Sequence, residues 1–157
     1  MPFVRVWIHL VWTTKNRQPN LEKKFRDRLL DHICQNAKVK GIYLDSINGS
    51  IDHIHVLLSI RSELSISKVA QLLKGESSHW ANELKLAPNK IEWQEEYFAV
   101  SVSESDIGIV RNYILNQEEH HRRKTYTEEY QEFIQQYHGQ CDGLKPAGER
   151  GDSVATT

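Results

Sequence analysis

The chain has 157 residues and a mass of 18.3 kDa, enough for one domain with a real core. A net charge of −1 and a pI near 6.7 exclude a protein that holds nucleic acid by bulk positive charge, so any such contact needs a local patch. Hydrophobic residues at 39% and charged residues at 26% exclude the disordered class, and no apolar run approaches the ~18 residues of a membrane-spanning helix. The first residues, Met1 to Arg5, lack the order of a signal peptide. Cys34 and Cys141 are distant and unaccompanied, which points to a reducing cytoplasm rather than a disulfide framework.

Residues 3–13 are rich in Val, Ile and Trp and read as a strand. Phe3, Arg5, Trp7, His9 and Val11 share one face of it. Val4, Val6, Ile8, Leu10 and Trp12 share the other, more uniformly apolar face. The polar segment 15–20 breaks the pattern. Leu21, Phe25, Leu29, Ile33 and Ala37 then recur at four-residue steps, a helical stripe ended by Gly41. Strand character returns from Gly41, Asn48-Gly49 signals a two-residue hairpin turn, and residues 50–60 form the antiparallel partner. Ser65 can cap a helix over about 66–86, which Gly75 interrupts and Pro88-Asn89 closes. A short strand over 97–102 precedes a helix capped by Ser103 or Ser105 and running to about His121. A last amphipathic helix covers 127–137. From Gly139 the chain is Gly-rich and poor in apolar residues, so residues 1–138 are expected to form one domain and 139–157 a flexible tail. Strand-helix-strand twice, joined by a hairpin, predicts an α+β ferredoxin-like split βαβ sandwich: a four-stranded antiparallel sheet, two long helices on one face, and additional C-terminal helices.

Two segments carry candidate chemistry. In Asp52-His53-Ile54-His55-Val56, alternation puts both imidazoles on one strand face and Ile54 and Val56 in the core. Such a pair is half a metal site; the spacing equally fits two inert, hydrogen-bonded histidines. In the later helix, Tyr113 and Gln117 lie four residues apart on one face. A phenol can attack phosphorus, and an amide oxygen suits Mg²⁺ or Mn²⁺. An isolated Tyr-x-x-x-Gln also fits a surface aromatic beside a solvated amide.

Taken together, His53-Ile54-His55 and Tyr113 with Gln117 resemble the single-tyrosine HUH transposases of small bacterial insertion sequences, the insertion-sequence-200-like group (HUH denotes His, a bulky hydrophobic residue, His). His9 to Lys15, Leu73 to Ser78 and Ser101 to Ser105 are similar to that group as well, and the likeness spans roughly residues 3–137. The resemblance implies an enzyme that cuts and rejoins single-stranded DNA at the hairpin ends of a mobile element. Tyr113 would form a 5′-phosphotyrosine link, and His53, His55 and Gln117 would hold a divalent ion, Mg²⁺ or Mn²⁺. It further implies a homodimer in which the tyrosine helix of one subunit completes the histidine pair of the other; toward that, the sequence itself offers only a short helix with candidate hinges at Gly108 and residues 122–126. A domesticated relative that processes chromosomal repeat hairpins would use the same chemistry.

DNA contacts must come from local charge. Lys15 and Arg17 follow the first strand, Lys74 lies on the second long helix, and Arg122, Arg123 and Lys124 follow the tyrosine helix. Trp12 and Trp80 are rings on which unpaired bases could stack. The rival from another class is a non-catalytic nucleic-acid-binding sandwich using Phe3, Trp7 and His9 as a stacking platform.

Overall fold

The computed structural model describes residues 2–117, together with Glu128 and Glu132. The chain divides into two compact units, residues 1–122 and 123–157. In the second, Glu128 and Glu132 are helical and exposed. The rest of the expected helix over 127–137, the basic residues Arg122, Arg123 and Lys124, and the expected tail lie outside the described residues.

The first unit follows the expected order. Strand β1 (Val6–Thr13) leads to helix α1 (Lys23–Val39), strands β2 (Tyr43–Gly49) and β3 (His53–Ile60), helix α2 (Ile66–Glu83), strand β4 (Phe98–Val102) and helix α3 (Ile107–Leu115). All pairs are antiparallel in the order β2-β3-β1-β4, the arrangement of a split βαβ sandwich. Strands β1 and β3 are central and pair on both edges.

Alternation sorts the side chains onto two faces. Ile8, Leu10 and Trp12 of β1 and Ile54, Val56 and Leu58 of β3 join Leu29 and Ile33 of α1 and Val69 and Leu73 of α2 in the main core. His9, Val11, His53, His55 and Leu57 point to the opposite face and are also buried there. That face meets α3, whose Val110 and Ile114 are buried. Ser65 accepts a hydrogen bond from the Lys68 amide at 3.1 Å, the expected cap of α2.

The structure corrects four local expectations. Residues 3–5 precede β1, and Phe3 is exposed. Asn48 and Gly49 are not the turn: they pair with His55 and Ile54 inside the ladder, and Ser50 to Asp52 make the connection. A Cβ at Gly49 would stand 2.5 Å from the His53 carbonyl oxygen, so close backbone approach explains the glycine. Gly75 does not interrupt α2, which ends at Glu83 rather than 86. Neither Ser103 nor Ser105 caps α3; a 3₁₀ turn over Glu104–Asp106 leads into it, with the Ser103 hydroxyl bonded to Asp106 at 2.9 Å.

Candidate active site

Eight polar residues are buried among the described ones, and His9, His53, His55 and Gln117 are four of them. Burial of so many polar groups beside one sheet face requires specific partners. The imidazoles of His53 and His55 lie 5.1 Å apart between centroids, at 72°. Both sit on β3, and Asn48 of the paired β2 stands opposite His55.

Each ring is held at Nδ1. The Nδ1–H of His53 donates to Asp52 Oδ1 at 2.7 Å, and Asp52 Oδ2 faces Arg17 Nε at 3.4 Å. For His55 the partner of Nδ1 is His9 Nε2, at 2.9 Å. The nitrogen that either ring would offer an ion is therefore Nε2, the usual arrangement of a histidine ligand fixed from behind. Among the described residues no group of three or more His, Cys, Asp or Glu side chains could hold a metal ion. Gln117 is buried and its Nε2 donates to the Tyr113 carbonyl at 3.4 Å; imidazole nitrogens and an amide oxygen are donor types that suit a hard divalent ion.

Tyr113 reaches the same place. Its ring centroid is 5.7 Å from that of His55 and 6.1 Å from that of His9, edge-on to both. The docking of α3 explains how. Leu44 pairs with Leu58 and Ser46 with Leu57, which leaves Asp45 as an extra residue in β2. This bulge aims Asp45 at α3, where Arg111 donates to both carboxylate oxygens, at 2.9 and 2.8 Å. The Arg111 guanidinium holds the Asp45 carboxyl below its ordinary value. One turn further, the Asn48 side-chain amide donates to the Leu115 carbonyl at 3.0 Å. These two clamps flank Tyr113.

The expected DNA-contacting residues fare differently. Lys15 lies in a 3₁₀ turn with its amine 3.6 Å from Glu92, and Arg17 in that turn faces Asp52. The Lys74 amine donates to the carbonyls of Gln94 and Glu95 at 2.7 and 2.9 Å, so it fastens the segment before β4, and burial lowers its pKa. Trp12 is buried in the main core, and Trp80 stacks on His32 at 3.8 Å between centroids. The platform expected of a binding module is broken: Phe3 lies outside the strand, Trp7 packs edge-on against Tyr43, and His9 is buried. Sequence reasoning overlooked Asp52 and Asp45. An acidic residue directly before a His-x-His pair was the available signal for Asp52; nothing local marked Asp45.

Comparison with known proteins agrees with this geometry. The family model described as "Transposase IS200 like" matches residues 3–117. The ISDra2 transposase TnpA of Deinococcus radiodurans is 27% identical over 117 residues, covering 69% of this chain and 81% of that protein. A crystal structure of a candidate transposase from Deinococcus radiodurans R1 superposes with a TM-score of 0.58 at 27% identity, covering 74% of this chain and 93% of the other. A REP-associated tyrosine transposase bound to a REP hairpin shares the fold, with a TM-score of 0.56 at 14% identity over 74% of this chain and 68% of that one. Because the family match takes in every element from β1 to α3, the chain belongs to the IS200-like transposase family.

Proposed function

We propose that this transposase-family protein cuts and rejoins single-stranded DNA at hairpin ends, with Tyr113 as nucleophile. The observation that carries the reading is the meeting of the Tyr113 ring with His55, one of the paired imidazoles, at 5.7 Å on a buried polar face of the sheet. A free phenol has a pKa of about 10 and attacks poorly at neutral pH, so the site must favour charge on the reacting oxygens. His53, His55 and Gln117 would hold a divalent ion, Mg²⁺ or Mn²⁺, which supplies charge neutralisation at the scissile phosphate. Tyr113 Oη forms a bond to phosphorus as the 3′ oxygen leaves, giving a 5′-phosphotyrosine and a free 3′-hydroxyl. The link keeps the energy of the phosphodiester, and reversal of the same step rejoins the strand. Asp45 and Asn48 hold the tyrosine helix in place. Asp52 orients His53.

Hairpin DNA is the favoured substrate class, in line with the REP hairpin bound by the structural relative. Lys15 and Arg17 lie beside the start of β3, with Arg17 facing Asp52, and Arg122, Arg123 and Lys124 follow the tyrosine helix in sequence; these are the basic residues proposed to meet DNA. Lys74, expected to contact DNA, instead fastens the 94–96 segment. The family resemblance implies a homodimer in which the tyrosine helix of one subunit completes the histidine pair of the other. Exchange of tyrosine helices in a homodimer would build the same constellation from two.

The test is incubation with single-stranded hairpin DNA and Mn²⁺, followed by a denaturing gel. Wild type forms a covalent adduct, while Tyr113→Phe, His53→Ala and chelated wild type form none. Binding without an adduct would return the protein to the binding-module class.

A further inference from the structure

His9 is not part of the His-x-His pair, yet it is as buried as His53. It lies on the central strand, opposite Leu57, and therefore diagonal to His55, which stands opposite Val11. Diagonal neighbours on one sheet face are within reach of aromatic rings. The two rings lie nearly parallel, 28° apart with centroids at 5.1 Å, and His9 Nε2 meets His55 Nδ1 at 2.9 Å. A hydrogen bond between two imidazole nitrogens permits two neutral arrangements. In one, His9 donates, and the hydrogen of His55 is driven to Nε2, where it blocks an ion. In the other, His55 donates from Nδ1, and its Nε2 lone pair can bind an ion. One side chain therefore decides whether half of the imidazole pair is competent.

We infer that His9 is the positioning residue for His55: its Nε2 accepts the Nδ1–H of His55 and holds that ring in the tautomer able to bind an ion through Nε2, as Asp52 does for His53. The inference rests on the ion site of the proposed function. It assigns a polar role to a residue on the more polar face of β1, where alternation alone suggests only a stacking surface. A neutral imidazole in place of a carboxylate leaves the second ligand with less negative charge behind it than the first. The two ligands are thus supported by unlike partners, Asp52 with Arg17 behind it on one side and His9 on the other.

Two substitutions separate this role from packing. His9→Phe keeps a ring of similar size against His55 and removes the acceptor. His9→Gln loses the ring but keeps an acceptor at the reach of Nε2. A packing role ranks Phe above Gln in every measurement, because burying an amide costs more than burying a ring. The positioning role reverses the order for ion affinity. The readouts are long-range ¹H–¹⁵N correlation spectra of the metal-free full chain, which report the tautomer of His55, and Mn²⁺ titration of the same samples. Expected are an Nδ1–H tautomer for His55 in wild type and His9→Gln, a shift toward Nε2–H in His9→Phe, and a roughly 10- to 100-fold loss of Mn²⁺ affinity in His9→Phe. An Nε2–H tautomer in the wild type would overturn the inference whether or not either variant folds, and so would unchanged Mn²⁺ affinity in a folded His9→Phe. The adduct assay is independent of this: adduct formation with the wrong His55 tautomer would sink the role of His9 alone. Wild type that binds no Mn²⁺ would remove the ion site, and the role of His9 with it.

Discussion

Replacing Asp52 by alanine removes the carboxylate that accepts the Nδ1–H of His53 at 2.7 Å and faces Arg17 at 3.4 Å. The first contact is at the short end of charge-assisted hydrogen bonds, whose net worth is about 1.5–3 kcal/mol. Without it the His53 ring can rotate, and its Nδ1–H tautomer loses its advantage. Partners behind a metal-binding histidine typically contribute 10- to 100-fold in ion affinity, or about 1.4–2.8 kcal/mol at 1.4 kcal/mol per decade. The two estimates agree, so Mn²⁺ affinity in Asp52→Ala should fall by roughly one to two decades. Asp52→Asn keeps an acceptor but not the charge and should fall between. Arg17→Ala should cost less than either, since its contact is long and its side chain is 43% exposed. The assay is Mn²⁺ titration followed by electron paramagnetic resonance, with circular dichroism to verify the fold. Affinity within about twofold of wild type in a folded Asp52→Ala would refute the reasoning that His53 is a ligand fixed from behind.

Three further outcomes follow from the geometry and the family resemblance. Gly49→Ala places a Cβ 2.5 Å from the His53 carbonyl, a backbone clash expected to cost about 1–3 kcal/mol; thermal unfolding should show a melting temperature lower by roughly 2–12 °C, and an unchanged one would mean the hairpin differs from that described. Asp45 has a lowered pKa, so its pairing with Arg111 stabilises the fold fully above the ordinary value of 3.8 and is lost as pH falls through the lower folded value. Urea unfolding should therefore find Asp45→Asn less stable than wild type at neutral pH, with the gap closing below about 3.8, whereas a constant gap would deny the carboxylate its role. Mixing Tyr113→Phe with His53→Ala should restore an adduct, since the family resemblance implies that the tyrosine helix of one subunit completes the histidine pair of the other; no adduct in the mixture would mean that each chain completes its own site.

The order of elements along the chain and the two long helices were legible because the apolar period changes from two to four between strands and helices. The shared sheet face of His53 and His55 was legible because strand alternation is local, and Tyr113 lies in α3 as expected; Gln117 does not, because α3 ends at Leu115 rather than running on to about His121. What failed was the meaning of single residues whose reason lies across the sheet. Asn48-Gly49 has the chemistry of a turn, yet Gly49 is there because β3 passes too close for a side chain. His9 reads as part of a stacking surface until α3 covers that face and His55 takes its nitrogen. Arg17 and Lys74 read as free cations, but their partners are Asp52 and the carbonyls of the 94–96 segment, far away in sequence. Asp45 is invisible without the bulge that turns it toward Arg111.

The central claim is that the Tyr113 phenol attacks a phosphodiester held beside the two imidazoles. Its most direct test is proteolysis and mass spectrometry of the adduct formed with end-labelled hairpin DNA and Mn²⁺. The DNA lying 3′ of the cut should be attached through its 5′ phosphate to the peptide bearing Tyr113, with a free 3′-hydroxyl on the other fragment. Attachment at another residue, or through a 3′ phosphate, would contradict it.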